Sequence, residues 1–243
     1  MTPLLSFEGV HKYRFFRDVR GRIAWTEALR DISFDLFPGE RLVLTGPPGA
    51  GKTTLLRLVP RFEDATAGRM LWCGTDLRHV PLAELRNRLG YVPEDPSLFG
   101  ETVEDNVAYG LRLRGLPREA ARVRSRVAVE RAGLDGFFLD RKVASLSLPQ
   151  ARRVSLARAL VVEPELLLLD ELHEGEPGAG DLLAGLDGKR LTVLATTRHP
   201  GLARVAGDRV WSLIDGRLAE ELAAGDFVPD GPGARRRRRP ERR

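Results

Sequence analysis

The stretch GPPGAGKTT, residues 46–54, constrains the fold more than any other in this chain of 243 residues. It matches G-x-x-x-x-G-K-[ST] in full and follows the apolar run RLVLT at 41–45, as a strand-to-helix phosphate loop requires. Gly49 and Gly51 let the backbone wrap around phosphate oxygens with its amides pointed inward. Gly46, Pro47, Pro48 and Ala50 complete the loop. A helix is expected to open at Lys52 and Thr53, with its positive end toward the anion. Lys52 is placed to reach the β- and γ-phosphates, and the Thr53 hydroxyl to ligate Mg²⁺, with Thr54 next in the same turn.

A second stretch supports the first. LLLLDE at 166–171 is four leucines followed by two acids. A buried strand ending in a carboxylate sets that charge at the C-terminal edge of a parallel sheet, beside the phosphate loop. Asp170 is the candidate Mg²⁺ partner, and Glu171 the candidate general base that orients an attacking water.

The remaining periodicities fill in an α/β fold. LLSFEGV (4–10), RDISFDLFPGE (30–40), GRMLWCG (68–74) and GKRLTVLATT (188–197) read as strands. In the second of these, Ile32, Phe34 and Leu36 fall on one face, ahead of a Pro-Gly turn. DRVWSLIDGRLAEEL (208–222) reads as a hairpin turning at Asp215 and Gly216. Residues 94–160 read as largely helical. Thr102 and Asp105 have the spacing of a capping box, and Val103, Val107 and Leu111 recur at helical intervals. Pro117 opens a further helix, with Val123 and Val127 expected to share a face and Gly133 to stop it.

Charge and composition exclude some functions. The formal net charge is +5, but GARRRRRPERR at the C-terminus carries seven Arg and one Glu, or +6, which leaves −1 for the rest. With no basic stripe and interleaved aromatics elsewhere, no nucleic-acid partner is expected. The tail, from about 227 to 243, reads as a disordered solvated end, or else as a contact for an anionic membrane surface worth about 1 kcal/mol per Arg. The single cysteine, Cys73, rules out an internal disulfide and suits a reducing compartment. No apolar run approaches the roughly 20 residues of a membrane helix, so any membrane span is expected to come from another chain.

The order of these pieces resembles the ATP-binding subunit of an ABC transporter, over about residues 4–222. GYVPEDPSLFGETVEDNVAYGL (90–111) looks like that family's coupling region. RVSLARAL (153–160) looks like the helix after its signature loop, and the interval from Gln150 to Asp170 also suits the family. The resemblance implies a P-loop NTPase core of the ABC ATPase type with an N-terminal antiparallel β portion and a helical subdomain insert. It further implies a domain at about 1–226, with ATP and Mg²⁺ as cofactors. In that family two such subunits sandwich two ATP molecules and drive transmembrane permease subunits from the cytoplasmic face of the cell membrane.

Several positions depart from the family pattern. Glu94 stands where the family has a glutamine that senses Mg²⁺ and water. Residues 146–150 read L-S-L-P-Q in place of L-S-G-G-Q. Ser147 and Gln150 survive to touch a partner's nucleotide, whereas Pro149 has no N–H to give and Leu148 crowds the contact. The helix proper is expected at 151–160. LHEGEPGAGD (172–181) does not match the family's dimer loop, and the helix after it looks short. At the family's γ-phosphate histidine, ATTRHP offers either Arg198 or His199. Tyr13 is placed to stack on adenine, with Phe15, Phe16 and Trp25 as alternatives.

Groups acting on this chain's own nucleotide are thus kept, while those offered across a dimer are altered. A homodimer would hydrolyse slowly, since losing one charge-stabilising donor costs roughly 3–4 kcal/mol in a barrier. Pairing with an intact second ATP-binding subunit would leave one good site. A soluble, non-transport ATPase of the same type and an ATP-binding pseudo-enzyme are the competing readings.

Overall fold

Two kinds of strand pattern sort into two sheets. In the computed structural model, which describes residues 1–17, 19–173 and 191–222, β1 (Leu5–Arg17), β2 (Ile23–Leu36) and β3 (Arg41–Thr45) lead into the phosphate loop and α1 (Lys52–Leu58). β4 (Ala67–Trp72), β5 (Thr75–Asp76), α2 (Leu82–Asn87) and β6 (Leu89–Val92) follow. The next segment is helical: α3 (Val103–Val107), α4 (Tyr109–Leu113), α5 (Arg118–Arg131) and α6 (Leu148–Leu160). The chain returns through β7 (Leu166–Leu172), β8 (Thr192–Thr197), α7 (Pro200–Ala206), β9 (Arg209–Ile214) and β10 (Arg217–Leu222).

The first sheet is antiparallel, in the order β2-β1-β4-β5. Its alternating strands bury one face only, and Ile32, Phe34 and Leu36 point inward as the spacing predicts. The second sheet runs β10-β9-β3-β8-β7-β6, parallel except for the β9/β10 hairpin. Its central strands are apolar on both faces because each face meets a different core. Leu166 and Leu168 of β7 pack with α1 and the antiparallel sheet. Leu167 and Leu169 pack with the helical segment. The four leucines of the sequence are therefore two pairs, one per core. The β9/β10 turn has Asp215 at φ 47 and Gly216 at φ 76, both left-handed, as a two-residue hairpin of this kind demands.

The helical segment begins at the expected cap: the Thr102 side chain accepts from Asp105 N, and Asp105 returns a bond to the Thr102 backbone. The helix that carries Val103 and Val107 ends at Val107, sooner than the spacing suggests; Ala108 separates it from α4, which carries the buried Leu111. Val123 and Val127 share a face of α5 as the spacing predicts, and it is turned to solvent; the buried face of the helix carries Ala121, Ser125, Ala128 and Val129. Small side chains on that face let α5 pack closely against α3 and α6. The helix expected at 151–160 starts earlier, at Leu148. Ser147 is its N-cap in a reciprocal box with Gln150, and Pro149 sits in the first turn, where its missing N–H breaks no helical bond. The divergent dimer loop from residue 174, the short helix after it and the Arg-rich tail all lie outside the described residues.

Candidate functional site

The phosphate loop runs from the end of β3 to the start of α1, and two glycines are required by their surroundings. At Gly51 (φ 105) an added Cβ would sit 2.4 Å from Ala28 O; at Gly46 it would sit 2.1 Å from Leu213 O. The loop is clasped from outside by the C-terminal hairpin: Gly216 N donates to Ala50 O at 3.1 Å, and Arg30 N donates to Gly216 O at 2.7 Å. Lys52 opens α1 and folds back, its Nζ donating to Gly46 O at 2.6 Å and Pro47 O at 3.2 Å. Burial lowers its pKa, with Glu171 pulling the other way.

Thr53 Oγ1 donates to Asp170 Oδ1 at 3.0 Å. Asp170 also accepts from Thr196 Oγ1 and from the Tyr91 hydroxyl, each at 3.2 Å. Burial raises its pKa; these three hydroxyl donors oppose that rise. Burial likewise pushes the Tyr91 phenol well above its ordinary value. The pairing of β7 with β8 is broken between Leu169 and Leu172, where both acids lie. Glu171 takes φ 65, rare for a residue with a side chain. A break of this kind turns consecutive residues to new directions. Here Asp170 faces Thr53, and Glu171 accepts from Arg198 N at 2.8 Å.

These residues border a cleft of about 600 Å³, within the range of small-molecule sites. Pro48, Gly49, Ala50, Gly51, Lys52, Thr53 and Thr54 form its floor, with Glu94, Glu171 and Arg198 on one wall. The opposite wall comes from β2 and the hairpin turn, including Arg30, Asp215 and Gly216, with Arg14 above. Gly46 and Pro47 do not line the cleft, but their carbonyls hold Lys52.

Other sequence candidates fall elsewhere. Ser147 and Gln150 cap α6 and are not part of this cleft; Gln150 and Pro149 border a separate hollow of about 380 Å³ with Phe138 and Arg153. His199 is the residue before α7, its backbone N donating to Thr197 Oγ1 at 3.1 Å, and Arg198 takes the place on the cleft wall. Tyr13 does not line the cleft; its ring packs edge-on against Trp25, 5.5 Å between centroids. Its neighbour Arg14 reaches the other way, donating to Thr54 Oγ1 at 3.1 Å. Phe16, two residues on, shares the Arg14 face of the β1/β2 ribbon but does not line the cleft either. Arg14, Arg30, Tyr91 and Thr196 were not singled out from sequence. No motif marks them, and only the hairpin turn at 215–216 carried a local signal.

The donor set fits a nucleotide with its metal. One hydroxyl and one carboxylate, with Glu94 nearby, suit Mg²⁺, which keeps waters and takes phosphate oxygens in place of an all-protein cage. A glycine loop, a lysine and a helix start suit the phosphates. Fold and site together define a P-loop nucleotide-binding protein.

Comparison with known proteins narrows the class. A family model described as ABC transporter matches residues 29–174. The molybdate/tungstate import ATP-binding protein WtpC of Pyrococcus horikoshii is 44% identical over 225 residues, 89% of this chain and 61% of that protein. The phosphonates import ATP-binding protein PhnC of Frankia casuarinae is 38% identical over 231 residues, 87% of this chain and 90% of that protein. Among solved structures, cbiO1 from Clostridium perfringens, part of the ABC transporter complex cbiONQ, superposes with a TM-score of 0.77 at 25% identity, over 92% of this chain and 90% of that one. A bacterial Atm1-family ABC exporter with ATP bound gives 0.76 at 31% identity, over 93% of this chain and 39% of that one. The chain belongs to the ABC transporter family. It spans between 41% and 64% of the length of three WtpC relatives. Among the described residues no helix is long and apolar enough to cross a membrane.

Proposed function

We propose that this chain is the subunit that binds and hydrolyses Mg²⁺-bound ATP to power an ABC transporter. The observation that carries the reading is the 3.0 Å bond from Thr53 Oγ1 to Asp170 Oδ1, with Lys52 and Glu171 lining the same cleft. In this reading the loop amides and Lys52 hold the β- and γ-phosphates. Thr53, Asp170 and Glu94 hold Mg²⁺ through oxygen, and Glu171 takes a proton from the attacking water. The bound metal supplies charge neutralisation at the transferring phosphoryl group. The hairpin of β1 and β2 bounds the base, with Tyr13 and Phe16 the aromatics to compare.

The chain pairs with a second ATP-binding subunit and couples to separate permease subunits, peripheral on the cytoplasmic face of the membrane. The name of the WtpC relative speaks of molybdate/tungstate import and that of the PhnC relative of phosphonate import. Cargo is chosen by membrane subunits, so the shared element is the energising step. Leu148 and Pro149 favour pairing with a partner whose signature loop is intact, and Ser147 and Gln150 then serve the weaker site. The Arg-rich tail adds attraction to anionic lipid.

The test is Mg²⁺·ATP binding by the full chain and phosphate release alone and with partner subunits. Lys52→Ala is expected to abolish binding. Glu171→Gln is expected to keep binding and lower turnover about 100-fold or more. No binding of millimolar Mg²⁺·ATP by the unaltered chain sinks the reading. Fast turnover by the chain alone, lost in Lys52→Ala, removes only the need for a partner.

A further inference from the structure

The ribbon formed by the far ends of β1 and β2 carries an apolar face open to solvent. The ladder between β1 and β4 reaches no further than His11. Arg14 still holds the body of the protein, through Thr54 and Glu63. Past it the two strands pair with each other, Phe15 with Trp25, Phe16 with Ala24 and Arg17 with Ile23. Opposed residues of an antiparallel pair point the same way, and neighbours along a strand point opposite ways. Arg14 and Thr26, opposed in register, line the cleft, so Tyr13, Phe15, Ile23 and Trp25 occupy the face turned away from it. Phe15 is 70% exposed, Ile23 73% and Trp25 61%, and Val19 at the turn is fully exposed. Contiguous wet apolar surface of this kind marks a place where another surface docks. The turn beside it is basic: residues 17–22 read RDVRGR, three arginines to one aspartate. Arg17, Arg20 and Arg22 are all exposed, and Arg17 closes the turn by donating to Gly21 O at 3.0 Å.

We propose that this ribbon docks on an anionic lipid surface, with Phe15, Val19, Ile23 and Trp25 entering the headgroup boundary and Arg17, Arg20 and Arg22 meeting lipid phosphates. Lipid docking does not depend on the nucleotide reading. Charge complementarity selects the lipid: exposed rings and aliphatic side chains adjoin a cluster of net charge +2. A bilayer boundary of anionic lipid offers an apolar layer and phosphate anions side by side. Tryptophan suits that depth, because its ring is apolar while its N–H can stay with the wet headgroups. The ribbon is a two-stranded projection, not a groove, so it meets a flat surface more readily than it encloses a peptide. Each arginine near such a surface is worth about fivefold in affinity, and each apolar side chain adds area removed from water. The Arg-rich tail acts differently. GARRRRRPERR holds no large apolar side chain, so it supplies attraction without placing a ring in the lipid. The ribbon alone combines both, and its other face belongs to the cleft.

Trp25 reports the docking directly. Of the three tryptophans, Trp72 is buried and Trp211 half-buried, so Trp25 is the one open to lipid. The full chain is titrated with vesicles of phosphatidylcholine alone and of phosphatidylcholine mixed with phosphatidylglycerol, reading tryptophan emission and co-sedimentation. On the mixed vesicles the emission is expected to shift to the blue and acrylamide quenching to fall at least twofold. Trp25→Phe should remove the shift and keep vesicle affinity within threefold. Phe15→Ser, Ile23→Ser and Trp25→Ser together should lower that affinity at least tenfold, and so should Arg20→Gln with Arg22→Gln. Because these side chains are exposed, the variants are expected to fold, and thermal unfolding checks this. Co-sedimentation with unchanged emission, or a triple serine variant that binds within threefold of the unaltered chain, overturns the proposal and leaves the tail as the lipid contact. Equal binding to phosphatidylcholine alone overturns it as well. Emission already shifted without lipid, and dependent on chain concentration, overturns it in favour of a second copy. Covering of Trp25 only when permease subunits are present overturns it in favour of a protein partner.

Discussion

The Thr53 hydroxyl donates to Asp170 Oδ1 at 3.0 Å, tying the first turn of α1 to the end of β7 across 117 residues of chain. The bond sets a donor-bearing oxygen and a carboxylate side by side where a metal held by phosphates would need both. The buried Asp170 also accepts from Thr196 and Tyr91, so its orientation is held from three sides.

Asp170→Asn separates metal binding from folding. Affinity for ATP in the presence of Mg²⁺ is expected to fall tenfold or more, while affinity in excess chelator changes less than threefold. The nucleotide-free chain should be no less stable at neutral pH, because burial disfavours the charged carboxylate and the amide keeps an acceptor. Titrations with and without chelator, beside a urea melt, check both halves. A marked loss of stability without loss of Mg²⁺-dependent affinity would contradict this assignment.

In the nucleotide reading proposed above, the base-stacking aromatic is expected on the face of the β1/β2 ribbon that meets α1. Arg14 reaches Thr54, and Phe16 shares its face. Phe16→Ala is therefore expected to weaken ATP binding about fivefold to a hundredfold, the scale of one base stacked on one ring, about 1–3 kcal/mol. Tyr13→Ala should cost less than threefold. Parallel nucleotide titrations of the two variants compare them, and the reverse order would return the role to Tyr13.

The first turn of α6 trades helix stability against a partner's nucleotide. Replacing Leu148 and Pro149 together by glycine restores L-S-G-G-Q and the missing backbone N–H. ATP turnover by the chain alone, measured at concentrations that favour pairing, should rise at least tenfold. The melt should meanwhile show a loss of about 1 kcal/mol, because glycine and the lost proline both loosen the start of a helix. Unchanged turnover in a folded double variant would mean that the signature is not what limits hydrolysis.

The cap of α3 has a pH signature. Backbone and side-chain bonds from Thr102 hold the Asp105 carboxyl below its ordinary value of 3.8. An acid with a depressed folded-state pKa stabilises the fold at pH above its unfolded value, and that gain is lost as pH falls through the folded value. Asp105→Ala should therefore cost about 1 kcal/mol at pH 7, with the difference shrinking steadily below pH 3.8. Urea melts across that range measure it.

Much of the fold was legible because its signals are local. The phosphate loop's spacing after an apolar strand, the four leucines ahead of Asp170 and Glu171, and the capping box at Thr102 each depend on a few consecutive residues. Local chemistry also explains one correction. Ser147 and Gln150 form a second capping box, and Pro149 is a residue that starts helices well, so the signature-like loop becomes the first turn of α6. The buried face of α5 is not legible in the same way. Val123 and Val127 satisfy a helical period, but so do Ala121, Ser125 and Ala128. Periodicity cannot choose between faces when close packing favours the smaller side chains.

The sequence by itself therefore determined the family and the phosphate-binding core, since both rest on contiguous motifs whose chemistry needs those residues at those spacings. Only the tertiary structure decided which wall residues complete the cleft. Arg198 faces it and His199 does not; Arg14 turns to α1 while Tyr13 turns to Trp25. Neighbours in a strand point to opposite faces, so one residue of register decides between Tyr13 and Arg14, and register is set by pairing with distant strands; Arg198 and His199 lie just past β8, where the path of the loop into α7 decides. The contact between Glu94 and Arg198 is likewise invisible in one dimension, because 104 residues separate two charges that the parallel sheet brings to one edge.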